Sequence, residues 1–313
     1  MRYLLAGVLL GGWLLSSCMK PGTSGVSVNP AFRSLVPKET KALASIDVDG
    51  LKSSGVYKRH KDLLNTPLLD AMSERIGVDP RRDVSNLLVA WNGKEAVVFA
   101  RGGFDVTALE TKMRSLGARP MGYRGYTLFG DNRESLAFLK RRVAVAGAGS
   151  VVRSEIDLEK NGGGGVSEEL AARLAAVPRG DQIWAVSRGG LPFAEAQIRS
   201  DIQSALSNIV SYVDATSFGI GVDKGVHLNA EIVCISNEGA QRVNDALRGG
   251  IGLARLTTQD NEADLLRVYD AVQVSRDQQT VRVRADLSAE LTDKLAARLP
   301  QIANRAEQML RER

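Results

Sequence analysis

The sequence predicts an α+β protein of two tandem β-α-β-β-α-β-β-α units, antiparallel sheets with helices packed on one face. Three observations carry this. Apolar runs of strand length stand in pairs around turn residues, as in Leu87 to Trp91, Asn92-Gly93, and Ala96 to Ala100. Asn-Gly between two such runs is a hairpin signal, because both residues tolerate the positive φ of a tight turn. Stretches with helical apolar spacing separate the pairs. The order of elements then recurs: Val36-Pro37 leads into a strand ending at Gly50-Leu51, and Val177-Pro178 leads into one ending at Gly190-Leu191, 141 positions later.

In the first unit the strand Ala42 to Val48 precedes a helix over about Tyr57 to Ile76, then the Asn92-Gly93 hairpin. A helix over roughly Asp105 to Leu116 follows, with Leu109, Met113 and Leu116 on one face. Leu136 to Leu139, Val143 to Ala146 and the helix Val151 to Leu158 close the unit. In the second, Ile183 to Ser187 precedes a helix over about Phe193 to Val210. Ser217 to Val222 and Val226 to Ile235 form a hairpin, and a helix follows with Val243, Ala246 and Leu247 on one face. Ala271 to Val274, Val281 to Ala285 and a helix over Leu291 to Leu310 end the chain. Between the units lies Asn161-Gly162-Gly163-Gly164-Gly165, the composition of a flexible connector. The organisation read from these signals is 1–17 signal peptide, 18–35 flexible tether, 36–160 first repeat, 161–176 glycine-rich linker and connecting helix, and 177–313 second repeat.

The N-terminus locates the protein. Arg2 precedes a twelve-residue apolar stretch, Leu4 to Leu15, too short to span a bilayer and suited to the apolar core of a secretory signal. Leu15-Ser16-Ser17-Cys18 follows, and this order resembles the lipobox of bacterial lipoproteins, whose cysteine is acylated and becomes the mature first residue. The resemblance implies lipidation at Cys18 and a membrane partner through the N-terminal acyl chains. With Lys20 after Met19 and no Asp after Cys18, it also implies outer-membrane sorting within the cell envelope, facing the periplasm or the surface. Over most of the mature chain, the repeat order resembles duplicated α+β envelope lipoproteins of unassigned function.

Cleavage before Cys18 leaves 296 residues and lowers the net charge from +5 to +4. Cys234 is then the one remaining thiol, so no internal disulfide forms, and its strand context reads as a buried apolar side chain. The basic excess is concentrated. Between Thr111 and Arg153 nine basic residues face only Asp131 and Glu134, a local charge of +7. Arg124, Arg133, Lys140, Arg141 and Arg142 are the candidates for contact with an anionic envelope surface. An exported protein has no nucleic-acid partner to meet.

Catalytic and cofactor signals are sparse. Gly147-Ala148-Gly149-Ser150 opens a helix after a strand, but Val152 stands where a dinucleotide fingerprint needs a small residue, and no parallel βαβ unit surrounds it. His60 and His227 lack a second ligand at metal spacing, so neither a cofactor nor a metal is expected. Asp47 and Asp49 share a strand face, the arrangement in which two carboxylates shift each other's pKa. Tyr123 to Phe129 concentrates aromatics within the basic segment, the pattern of a hairpin with cross-strand aromatic packing, or alternatively of rings that stack on a sugar or enter a membrane interface. The expected function is a non-enzymatic envelope binding or scaffold module with a protein or anionic partner. The alternatives are a carrier of a lipid or apolar ligand, with room at Gly219 and Gly221 or Ala144 and Ala146, and a hydrolase using Asp47, Asp49 or His60.

Overall fold

The computed structural model of the protein describes residues 25–64, 69–70, 73–74, 78–190, 209–259 and 261–298. Cys18, with the whole lipobox, lies outside them, as do parts of three expected helices. Twelve strands are described: β1 (Ala42–Asp47), β2 (Val84–Trp91), β3 (Ala96–Gly102), β4 (Pro120–Tyr123), β5 (Tyr126–Gly130), β6 (Ser135–Leu139), β7 (Val143–Gly147), β8 (Ile183–Arg188), β9 (Val213–Val222), β10 (Val226–Cys234), β11 (Val272–Asp277) and β12 (Thr280–Leu287). They form one sheet in the order β11-β12-β10-β9-β8-β1-β2-β3-β7-β6-β5-β4. Every pairing is antiparallel.

The halves join edge to edge through β1 and β8, where Leu43 opposes Val186 and Ala44 opposes Ala185. Outward from this seam each half runs strand, hairpin, hairpin. The first half then departs from the expected unit, because β4 and β5 add a further hairpin at its outer edge. That hairpin turns at Arg124 (φ 47°) and Gly125 (φ 82°), two positive φ values in succession, as a tight hairpin turn demands.

Helices cover both faces of the sheet, which corrects the expected single-faced packing. Opposed residues of an antiparallel pair point to the same side, so the register defines each face. Leu43, Ala90 and Val97 lie in line, as do Leu88, Phe99, Val145, Ala137 and Leu128. This front face packs against Val152 and Ile156 of α5 (Gly149–Asn161), Leu170 and Leu174 of α6 (Glu168–Ala176), and Phe32, Leu35 and Val36. Val281, Ile232, Thr216, Ser187 and Ala42 define the back face. There Ala240 and Val243 of α7 (Asn237–Thr257) complete a second cluster with Cys234 and Val281. The helix α4 (Val106–Ser115) also lies on the back, with Arg114 5.6 Å from the centre of the Phe129 ring.

The cause is the strand composition. Val97-Val98-Phe99-Ala100 and Val143-Ala144-Val145-Ala146 are unbroken apolar runs, and such strands need cover on both sides. The front face becomes polar beyond β9. There Glu231 on β10 bonds both Arg173 of α6 and Arg282 of β12, each at 3.3 Å.

Two segments expected to be flexible are packed instead. Val26, Val28, Phe32 and Leu35, within the stretch read as tether, are buried, and Val26 N donates to Val177 O at 3.1 Å. Four apolar side chains within ten residues bury enough surface to seat the segment against the sheet. In the glycine run, Gly165 N donates to Val36 O at 2.8 Å, and a β-carbon on Gly164 would collide with Ser34 O. These glycines permit close backbone approach as well as connection.

Candidate functional site

The residues singled out in the sequence do not converge on one site. Arg124 pairs with Asp157 at 3.0 Å in the β4–β5 turn, and Lys140 and Arg142 sit in the β6–β7 turn at the same end of the strands. Arg133 lies in the β5–β6 turn, which chain direction places at the opposite end. The backbone puts Arg141 beside Lys140 and Arg142. Any contact with an anionic surface at this end therefore falls to the 140–142 turn and excludes Arg133.

Asp47 does not face Asp49. It caps α1 (Val48–Ser53), accepting from Gly50 N at 3.1 Å and from Asn86 Nδ2 at 3.0 Å, while Asp49 makes an exposed ion pair with Lys52. His60 meets neither of them. Its Nε2 lies 2.7 Å from Asp293, which also takes Arg59 at 3.0 Å, and the hydrogen bond from His60 holds that carboxyl below the usual carboxylate range. Cys234 is buried and burial raises its pKa, which leaves it a poor nucleophile. In the Gly147-Ala148-Gly149-Ser150 turn, the Gly149 site is set by packing: a β-carbon there would lie 2.7 Å from Asp131 O.

His227 carries a partner the sequence did not reveal. Its Nε2 is 2.8 Å from Oδ1 of Asp181, a side chain only 1% exposed. Burial raises the Asp181 pKa, against the opposing hydrogen bond from His227. The small residues on β9 have the same origin. A β-carbon on Gly219 would run into Asp181 Oδ2, and one on Gly221 into the His227 ring. Gly219 and Gly221 therefore make room for this pair and not for an apolar ligand.

Among the described residues, a buried acid that also lines a cavity was missed in the sequence. Along α5, Val152 and Ile156 point into the core, and Glu155 lies on the same stripe. Glu155 is 1% exposed, and its Oε2 has no hydrogen-bond partner. Burial, reinforced by the charge of Glu39, pushes its pKa up to about 8. It lines a cavity of about 410 Å³, between α5, the start of β1 and the β2–β3 turn. Thr40, Ala90, Val97 and Ser154 share its wall. The helix leaves this cavity through Gly162, whose φ of 72° closes it. An acidic residue on an otherwise apolar helix stripe was the legible signal.

Among the described residues no cluster of three His, Cys, Asp or Glu side chains is placed to hold a metal ion. Nor is any described helix long and apolar enough to cross a membrane. No family model matches the sequence, and no curated protein matches it. The fold has solved counterparts in crystal forms III and IV of TP0453, with TM-scores of 0.50 and 0.51. Both are 10% identical to this chain and cover 87% of it, with 97% and 96% of their own chains matched. The likeness is one of fold.

Proposed function

We propose that the protein is a binding module of the bacterial cell envelope, anchored through acyl chains on Cys18 and holding a small polar ligand beside Glu155. The observation that carries the binding reading is a cavity of about 410 Å³ lined in part by Glu155, a buried acid whose Oε2 has no hydrogen-bond partner. A volume of this order suits a small molecule. The wall includes Glu39, Glu95, Glu155 and Asp157, which argues for a polar ligand over the lipid of the carrier reading. The anchor rests on the lipobox order Leu15-Ser16-Ser17-Cys18. The two-unit organisation fits a duplication, since the described strands follow one order outward from β1 and from β8.

A native mass spectrum of the full-length protein, extracted from its own membrane, tests this. The expected species begins at an acylated Cys18 and retains a small non-covalent adduct. A chain that keeps its first 17 residues refutes the anchor. A bare acylated monomer refutes the binding reading, a lipid-sized adduct favours the carrier, and a stoichiometric protein partner favours the scaffold.

A further inference from the structure

We infer that the cavity beside Glu155 is a site for a small organic cation bearing a primary ammonium group, with Glu155 as its counter-ion. This rests on the binding-module reading and deepens it by naming the ligand class. Four carboxyl side chains line the cavity, Glu39, Glu95, Glu155 and Asp157, against one ammonium, Lys38. Asp157 is engaged by Arg124 and by the Tyr123 hydroxyl, and Lys38 is exposed. Glu39 and Glu95 are exposed at the rim, as Lys38 is, and the buried acid, Glu155, makes no hydrogen bond through Oε2. An anion entering here would meet repulsion from Glu39 and Glu95. A neutral acceptor could take a hydrogen bond from the protonated Glu155 carboxyl, but it would bring no charge to balance Glu39 and Glu95. An ammonium group supplies both charge and donors, and the hydrogen bond between charged partners is among the strong ones. Ala90, Val97 and Leu158 offer apolar surface for a short methylene chain.

Binding of a cation beside Glu155 moves a proton. In the empty site at neutral pH the Glu155 carboxyl is mostly protonated, its pKa being about 8. When the ammonium enters, the carboxyl O–H bond breaks, the carboxylate pairs with the ammonium, and the proton leaves to solvent. Binding at pH 7 therefore releases close to one proton per ligand.

Isothermal titration of the full-length protein in non-ionic detergent with 1,5-diaminopentane, in buffers of differing ionisation enthalpy, reads affinity and proton release together. The expected result is one site per chain with nearly one proton released. Glu155→Gln, which keeps shape, should lose the proton release and about tenfold or more in affinity. Glu39→Gln should weaken binding by a smaller factor of about threefold while preserving proton release. No binding of the diamine up to about 10 mM overturns the inference. So does equal binding by a folded E155Q, which would place the amine elsewhere. A silent titration beside a native spectrum that shows another adduct removes the ligand class and leaves the binding module standing. A silent titration beside a bare monomer removes both.

Discussion

His227 Nε2 stands 2.8 Å from Asp181 Oδ1, while Asp181 Oδ2 is buried and meets no partner. The histidine is partly exposed and the aspartate is not, so the pair is a buried acid held by one donor at the surface. Removing that donor leaves the acid with none. His227→Ala should cost about 1–3 kcal/mol in urea unfolding at pH 7. The double variant with Asp181→Asn should cost less than the two single changes added together. Strict additivity would mean that the contact carries no energy.

Glu155 makes stability depend on pH in the direction opposite to most carboxylates. Its folded pKa, about 8, lies above its ordinary 4.5, so the folded protein keeps a proton that the unfolded chain releases. The resulting penalty is absent below about pH 4.5, grows between 4.5 and 8, and is complete above 8. Glu155→Gln should then stabilise by on the order of 4 kcal/mol at pH 8 and by almost nothing at pH 4. Unfolding curves at the two pH values check the difference; a gain that does not change with pH would show that Glu155 does not titrate in this window.

Glycines in this fold divide by what a β-carbon would meet. At Gly219 it would collide with Asp181, and at Gly249 in α7 nothing stands within 4 Å. Gly219→Ala should destabilise by about 1–3 kcal/mol through overpacking. Gly249→Ala should stabilise by about 0.5–1 kcal/mol, because alanine loses less freedom in a helix. Melting temperatures of the two variants, read side by side, should move in opposite directions.

The basic turn at 140–142 gives a spatial prediction. If this end of the sheet meets an anionic surface, reversing Arg141 and Arg142 to Glu should abolish the salt-sensitive binding of the unlipidated protein to anionic vesicles. Arg133→Glu, at the other end of β5 and β6, should leave that binding intact. Equal loss in both variants would indicate a general charge effect with no local surface.

Much of the strand order was legible because its signals are local. Asn92-Gly93 marks the β2–β3 turn, with Gly93 at φ 105°, and the runs around it became strands as read. The pairing of β1 with β8 is a choice between edges far apart in sequence, and nothing local in Ala42–Asp47 announces it. The hairpin β4–β5 stands where Tyr123 to Phe129 reads as a hairpin with cross-strand aromatic packing, but it fell outside the repeat unit because β4 is exposed and carries no apolar alternation. The two-sided helix cover was written in the unbroken run Val97 to Ala100 and was read as one face only. Glu155 was hidden by the regularity of its neighbours, since Val152 and Ile156 define an apolar stripe that draws the eye past the acid between them. Asp181 and His227 lie 46 residues apart and meet only once β8, β9 and β10 are in register.

The protonation state of the Glu155 carboxyl governs both the pH dependence of stability and the binding of a cation. Carbon-13 NMR of the Glu155 side-chain carboxyl, followed through a pH titration with and without 1,5-diaminopentane, reads that state directly. The prediction is a midpoint of about 8 in the empty protein, moving to lower pH as the diamine saturates. A midpoint at the ordinary 4.5, or one the diamine does not move, would contradict both the buried neutral acid and its part in binding a cation.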